Sequence, residues 1–287
     1  MTFPVYIPLG SLRIHPHWLF EVLAYAVGYQ VYRWQRRTRG DFLPSSTRLW
    51  IVTAAICGAA IGSKLLTWLE DPSATIQHWH DPVYLLGGKT IVGGLLGGTI
   101  AVEWIKRRMG ITRRTGDLFA IPLCVGTAIG RVGCFLTGLA DDTYGVATSL
   151  PWGIDFGDGV RRHPTQIYEI AFVILLALWL SYRGRRPHRE GGIYRGFLFF
   201  YLSFRFCVEF LKPGVKIAGI TGIQWACLAG IIWYWRDIRD LFAPGGAPSW
   251  ATASGPISTT TPPPPSAPPA TGERTEKSSS RTTGSTW

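Results

Sequence analysis

Residues 128–138, AIGRVGCFLTG, decide the fold class because they place Arg131 inside an apolar segment. The stretch closes the apolar run 118–139, which is long enough to cross a bilayer. An arginine at that depth costs about 3 kcal/mol by the lowest estimates and roughly ten or more by others. The charge therefore needs a partner or a function. The glycines around it let a neighbouring backbone or a ligand come close. A structural arginine paired inside a helical bundle is the alternative.

The composition is typical of a membrane protein. Of 287 residues, 47% are hydrophobic and 16% charged, which is too apolar for a soluble domain. The net charge of +11 comes from Lys and Arg in short loops between apolar runs, as membrane topology requires, so no nucleic-acid partner is expected. The five cysteines lie in apolar segments without a histidine at ligand spacing. We therefore expect no disulfide, no metal and no other cofactor.

Seven apolar runs predict an all-α integral membrane protein with about seven transmembrane helices. They lie near residues 18–33, 50–68, 84–105, 117–137, 168–182, 196–212 and 220–236. Arginines concentrate in the loops after the first, third and fifth runs, so the positive-inside rule places the N-terminus outside and the C-terminus inside. We expect residues 1–243 to form this seven-helix domain. Residues 244–287, rich in Pro, Ser and Thr, are expected to form a disordered cytoplasmic tail.

This topology places ionisable residues of six helices at one level, towards the outer side. They are Glu21, Lys64, Lys89, Arg131, His163, Glu169 and Glu209, with Arg205 near the middle of its helix. The i,i+4 spacing of Arg205 and Glu209 fits a simple ion pair. It also fits a glutamate that orients a guanidinium towards a phosphate. Several cations with a carboxylate and a histidine predict an anionic lipid headgroup as the ligand.

Two features leave alternatives open at this stage. His163 precedes Pro164 at the start of the fifth run and is either a base or a hydrogen-bonding residue at the interface. The glycines of residues 87–98 either let an irregular backbone around Lys89 line a cavity or pack helices tightly. The sequence contains no HExxH and no GxSxG. Any chemistry therefore depends on arginines that stabilise a phosphate leaving group and on a base that takes a proton.

Several motifs resemble those of the bacterial phosphatidylglycerol–prolipoprotein diacylglyceryl transferases. Residues 130–138, GRVGCFLTG, are similar to the family's GRxGNFxNGE, and residues 162–169, RHPTQIYE, to its RHPSQLYE. Residues 204–213, FRFCVEFLKP, resemble FRxxVEFxRxP. Residues 87–98 resemble GGxxxHGGLxG, and residues 62–64, GSK, resemble GAR. Order, spacing and topology agree over most of the predicted membrane domain.

The resemblance implies transfer of a diacylglyceryl group from phosphatidylglycerol to the lipobox cysteine thiol of a prolipoprotein. It places a multi-pass protein in the bacterial cytoplasmic (inner) membrane, with its active site facing the periplasmic side. The implied partners are phosphatidylglycerol, the signal-peptide and lipobox region of the prolipoprotein, and membrane lipids, without a cofactor. The implied catalytic residues are Arg131 and Arg205 as phosphate ligands, Glu209 orienting Arg205, and His163 or Lys89 assisting thiol deprotonation. The implied substrate-binding residues are Arg131, Gly130, Gly133, Gly93, Gly94, Lys64, Arg162, Gln166 and Tyr168.

Four positions depart from the family pattern. Val92 stands where the family has the His of HGG, Cys134 and Thr137 stand at its two Asn positions, and Leu139 at its Glu. The arginine part of the site is thus retained while its base and hydrogen-bonding parts are altered. Two alternatives stay open. One is a paralogue acting on a different acceptor, and the other is a non-enzymatic phospholipid-binding or phospholipid-transporting membrane protein that kept the phosphate cradle.

Overall fold

A computed structural model describes residues 3–10 and 12–238, and most of them are helical. The helices are α1 (Pro16–Arg39), α2 (Ser45–Glu70), α3 (Pro72–Gln77), α4 (Pro82–Leu86), α5 (Ile91–Arg108), α6 (Asp117–Thr137), α7 (Thr165–Arg183), α8 (Gly192–Val208) and α9 (Gly222–Tyr234). The 3-10 turns Gly138–Asp141 and Glu209–Leu211 follow α6 and α8. Two antiparallel hairpins pair β1 (Ile7–Leu9) with β2 (Leu12–Ile14) and β3 (Ile154–Asp155) with β4 (Arg161–Arg162). The predicted tail, residues 244–287, lies outside the described residues.

Six of the seven predicted runs each correspond to one long helix, or to a helix and its 3-10 turn, although the runs at 196–212 and 220–236 extend one or two residues past these elements. The exception is the run predicted at 84–105, which is not one helix. Helix α4 ends at Leu86, residues 87–90 are non-helical, and α5 begins at Ile91. Gly88 has φ +63, a conformation that favours glycine, so the backbone turns there instead of continuing as a helix. The sequence analysis also missed the two hairpins, because strands of two or three residues are too short for a period-two pattern.

Three helical segments of the described chain are by themselves long and apolar enough to cross a membrane. They are Ser45–Glu70, Asp117–Asp141 and Thr165–Arg183, with mean hydropathies of 1.8, 1.7 and 1.5. Large apolar side chains point outward from these helices, among them Ile61 at 62% and Leu175 at 65% exposed. Such a surface is unfavourable in water and suits lipid contact. The chain is therefore a helical membrane protein.

Glycines set the closest helix contacts. Helix α2 packs on α5 where a Cβ added to Gly62 would clash with the Gly93 carbonyl oxygen. Helix α1 packs on α6 where a Cβ on Gly133 would lie 2.7 Å from the Phe20 Cβ atom. Larger residues would force these pairs apart, as in other membrane bundles that use small residues at their interfaces. The second contact brings the start of α1 beside the final turns of α6.

Two buried apolar clusters fill the bundle. The larger lies between α6, α7 and α8 and includes Ala120, Val173, Phe197 and Tyr201. The smaller joins α2, α5, α8 and α9 and consists of Leu66, Val92, Leu202, Ile223 and Cys227. Val92 is only 1% exposed within it. The position that matched the His of the HGG motif by resemblance is thus filled here by apolar packing.

Candidate active site

Glu169, in the second turn of α7, joins two buried arginines from neighbouring helices. Its Oε2 atom lies 2.9 Å from Arg131 Nε and 3.1 Å from Arg205 Nη1. Its Oε1 atom accepts a hydrogen bond from the Tyr201 hydroxyl at 2.7 Å. Arg205 Nη2 also donates to Glu209 Oε2 at 2.9 Å, so the predicted i,i+4 contact is present. Two cations and two carboxylates form a neutral cluster, which is how buried charges are tolerated.

Three helices position this cluster. Arg131 lies in the last two turns of α6, and Arg205 in the last turn of α8 with Glu209 opening the following 3-10 turn. Helix α7 begins directly after Pro164, whose ring suits a helix start, and thereby places Glu169 between the two arginines. Glu169 is 1% exposed and Arg131 6%, so both charges are removed from water.

Arg131 retains donor capacity that the described residues do not use. Its Nε atom lies near Glu169 without an aligned hydrogen bond, and its Nη1 donates only to Cys134 Sγ at 3.7 Å, a weak acceptor. Both Nη atoms of Arg205 donate to carboxylates, and among its buried donors only Nε has no partner in the described part of the chain. A guanidinium carries five N–H donors in a planar fork that suits phosphate. Of the two arginines, Arg131 therefore has the Nη donors that no carboxylate of the described residues uses, and these can serve an anionic ligand.

A second set of charged contacts lies beside Cys134. His17 Nδ1 is 2.8 Å from Asp141 Oδ1, and His17 Nε2 is 3.7 Å from Glu21 Oε2. Glu21 Oε1 in turn accepts from Lys89 Nζ at 2.8 Å. The two sets meet at Cys134, whose Sγ lies within 4.8 Å of ligand atoms of His17 and Asp141. Polar contacts thus continue across the bundle from Lys89 to the arginine cluster.

His163 lies outside this series of contacts. Its Nδ1 atom is 3.2 Å from the Tyr168 hydroxyl, which also accepts the Trp152 indole N–H at 2.8 Å. The His163 carbonyl accepts the backbone N–H of Gly145 at 2.9 Å. The structure therefore places this histidine and Tyr168 together at the base of the loop between α6 and α7, and not against the arginines.

The ammonium group of Lys64 is engaged by the backbone. It donates to the carbonyl oxygens of Leu86, Gly87 and Gly88, the last two at 2.6 and 2.7 Å. These three bonds use all three N–H donors of a lysine. Lys64 thus holds the non-helical segment before α5 in place.

Arg162 and Gln166 lie in and after the second hairpin. Arg162 Nη2 donates to Asp158 Oδ2 at 2.5 Å, and this hydrogen bond lowers the pKa of the Asp158 carboxyl below its usual value. The Arg162 guanidinium also lies 5.0 Å from the centre of the Tyr144 ring. Gln166 is buried and donates to Thr143 Oγ1 at 3.2 Å, while its Oε1 has no partner among the described residues.

The four glycines predicted to bind substrate differ in their surroundings. A Cβ on Gly93 would clash with the Gly62 carbonyl oxygen, and Gly94 contacts Ala59, so both pack α5 against α2. Gly133 packs α6 against α1. A Cβ on Gly130 would meet nothing within 4 Å in the described part of the chain. Only Gly130, next to Arg131, therefore borders open space, and tight helix packing explains the others.

Glu169 is the main residue that the sequence reasoning left without a role. Its sequence signal was a carboxylate in an apolar helix, at the same predicted level as Arg131. His17 gave no such signal, because a histidine at the start of α1 has no motif around it. Asp141 is followed directly by Asp142, and the spacing of these two residues gave no indication that Asp141 contacts His17.

The fold and the candidate site define a helical membrane protein that holds paired arginines and carboxylates in its interior. A family model described as prolipoprotein diacylglyceryl transferase matches residues 4–235. The chain belongs to the prolipoprotein diacylglyceryl transferase family.

Similar proteins cover most of the chain. A protein of Geobacter sulfurreducens is 31% identical over 237 residues, which are 76% of this chain and 86% of that protein. One from Nitratidesulfovibrio vulgaris (strain DP4) is 30% identical over 244 residues, 80% of this chain and 88% of its own length. One from Bordetella parapertussis is 29% identical over 251 residues, 80% of this chain and 91% of its own length. All three are named phosphatidylglycerol–prolipoprotein diacylglyceryl transferase.

Proposed function

We propose that this protein transfers the diacylglyceryl group of phosphatidylglycerol to the lipobox cysteine thiol of a prolipoprotein. The observation that carries the proposal is Arg131, a buried guanidinium with unused donors beside open space at Gly130. A phosphodiester headgroup supplies the anionic oxygens that such a fork binds. Similar proteins that carry this activity in their names support the choice of lipid and acceptor.

The reaction forms a C–S bond and breaks a C–O bond. The thiol gives its proton to a base, and the cysteine sulfur attacks the CH2 carbon that joins the diacylglyceryl group to a phosphate oxygen. Glycerol phosphate leaves with the electron pair of that C–O bond. Negative charge grows on the departing phosphate, where the free N–H donors of Arg131 stabilise it. Glu169 fixes the position of Arg131, and the Arg205–Glu209 pair fixes Glu169 from the other side. This arrangement is set before the substrate arrives, so little reorganisation is needed.

Lys89 and His163 take different parts in the proposal. Lys89 is paired with Glu21, and 63% of its side chain is exposed, which suits a second contact to a headgroup oxygen. We assign it to lipid binding. His163 remains the side-chain candidate for the base. Its imidazole contacts the Tyr168 hydroxyl. Lys64 is left out of the proposed site because its donors are engaged by the backbone.

We also propose that α1, α2 and α5–α9 cross the bacterial cytoplasmic (inner) membrane, with the N-terminus outside and the tail inside. The last turns of α1 and α5 support this orientation because each carries three basic residues, and these ends would lie on the inner side. They are Arg36, Arg37 and Arg39 in α1, and Lys106, Arg107 and Arg108 in α5. The arginine cluster then opens towards the outer side, where the lipobox of an exported prolipoprotein arrives.

Complementation of a bacterial strain depleted of its own diacylglyceryl transferase tests the function. The parent chain is expected to restore growth and thioether-linked lipoprotein, and Arg131→Ala to fail at an equal membrane level. Arg108→Ala, at the far end of α5, is the control and should complement. A parent that binds phosphatidylglycerol without complementing would instead favour a lipid-binding protein. Transfer to another acceptor would favour a paralogue.

A further inference from the structure

Three side chains that offer nitrogen, sulfur and oxygen ligands meet beside Arg131. They are His17 on α1, Cys134 on α6 and Asp141 in the turn after α6. Their ligand atoms all lie within 4.8 Å of one another, and His17 Nδ1 is 2.8 Å from Asp141 Oδ1. The close packing at Gly133 makes this possible, since a Cβ there would lie 3.5 Å from the His17 Cα atom.

We infer that His17, Cys134 and Asp141 bind a Zn²⁺ ion. One imidazole, one thiolate and one carboxylate form a donor set that zinc accepts, and thiolate with imidazole disfavours Mg²⁺ and Ca²⁺. The thiolate and the carboxylate together balance the charge of the ion. Three protein ligands leave the fourth tetrahedral position open, as in catalytic rather than structural zinc sites.

The groups around the three ligands suit this role. Thr143 Oγ1 donates to Asp141 Oδ2 at 2.6 Å, which leaves Oδ1 for the ion. The second ring nitrogen of His17 faces Glu21 at 3.7 Å, the kind of carboxylate contact that orients a ligating histidine. Arg131 Nη1 lies 3.7 Å from Cys134 Sγ, the sulfur ligand of the site. The open position therefore lies next to the arginine assigned to the phosphate.

The catalytic consequence rests on the proposed transferase function. Val92 is buried in an apolar cluster, so position 92 offers no base. At the open zinc position the lipobox thiol replaces a water molecule, releases its proton to solvent and is held as a thiolate. Its sulfur then attacks the glycerol CH2 carbon, and glycerol phosphate leaves with the electron pair of the C–O bond. The ion does not change its oxidation state, and no side-chain base is needed.

Metal content tests the site without reference to activity. The full-length protein is purified in detergent, stripped with a chelator, dialysed against Zn²⁺ and measured by plasma mass spectrometry. We expect about one Zn²⁺ per chain in the parent and at least roughly tenfold weaker binding in Cys134→Ala. Cys124→Ala, at another buried cysteine of α6, is the matched control and should bind as the parent does. If Cys134→Ala folds poorly, Asp141→Asn can replace it as the test variant, with Asp142→Asn as its matched control.

Cobalt substitution identifies the ligands. Co²⁺ bound through Cys134 should show thiolate-to-metal charge-transfer absorption, which Cys124→Ala keeps and Cys134→Ala loses. Zinc bound equally by Cys134→Ala would be an adventitious ion only and would overturn the inference. A folded parent that binds no zinc would overturn it as well.

Transfer assays with phosphatidylglycerol vesicles and a lipobox peptide separate this inference from the proposed function. Zinc removal should lower turnover about a hundredfold or more, the size of a lost proton-transfer contribution, and added Zn²⁺ should restore it. Full turnover by the metal-free protein would overturn the inference and leave the transferase function standing. Cys134-dependent zinc binding in a parent without turnover would support the metal site and overturn the transferase function.

Discussion

Replacing Glu169 with glutamine removes the central negative charge of the arginine cluster and changes its shape very little. Arg131 then loses the carboxylate at 2.9 Å, and Arg205 keeps only Glu209. Removal of one partner from a buried ion pair destabilises a protein by about 3–5 kcal/mol. The amide oxygen of the new side chain can still accept the Tyr201 hydroxyl, which preserves about 1 kcal/mol. We therefore expect the free energy of unfolding to fall by about 3 kcal/mol.

The loss of turnover in Glu169→Gln should be larger than the lowered free energy of unfolding can explain. Arg131 would no longer be held in place, and a misplacement of about 1 Å can cost roughly a hundredfold in rate. Unfolding by titration with a denaturing detergent measures the first effect, and diacylglyceryl transfer at saturating lipid measures the second. Both assays use protein that elutes as a single folded species.

Glu209→Gln is the matched control, because the ion pair that this carboxylate forms within residues 3–10 and 12–238 is with Arg205 and not with Arg131. Its effect on stability and turnover should be smaller than that of Glu169→Gln. If Glu169→Gln left both quantities unchanged, or if Glu209→Gln were the more damaging change, Glu169 would not organise the two arginines.

Four further predictions concern single sites. Arg131→Lys keeps the charge but loses the planar guanidinium, so transition-state stabilisation should fall by about 2–4 kcal/mol and turnover on the order of a hundredfold. Full activity of this variant would show that Arg131 is not part of the site. Lys89→Arg should retain lipid binding and substantial turnover, whereas Lys89→Met should lose lipid binding. If Lys89→Arg lost turnover but kept lipid binding, Lys89 would act as the base instead. Arg162→Gln should raise the pKa of Asp158 towards its usual value in a carboxyl NMR titration, because the largest lowering hydrogen bond is lost while that from the Val160 backbone N–H remains. The stability from this bond is present above the ordinary aspartate pKa and is lost as pH falls through the lowered value; an unchanged titration would contradict its role. A cysteine introduced after residue 244 should react with an impermeant reagent only from the cytoplasmic side. Labelling of this cysteine in intact cells would contradict the proposed topology.

The helices could be predicted from the sequence because the cues for them are local. Apolar runs, their lengths and the Arg-rich stretches between them are read along the chain, and the run predicted at 117–137 coincides with α6. The contact between Arg205 and Glu209 follows from the helix period alone. The break at residues 87–90 was harder, because the same glycines fit both an irregular backbone and tight helix packing. The structure contains both, with a turn at Gly88 and close packing at Gly93.

The membership of the candidate site was decided by tertiary structure. Nothing in the spacing of Glu169 shows that it contacts Arg131 and Arg205, since that contact depends on how α6, α7 and α8 are rotated about their axes. His17 and Asp141 lie far apart in the sequence, and no ligand motif links either of them to Cys134. Their meeting depends on the close approach of α1 to α6 at Gly133. Helix period determines which residues share a face, but only packing determines which faces meet.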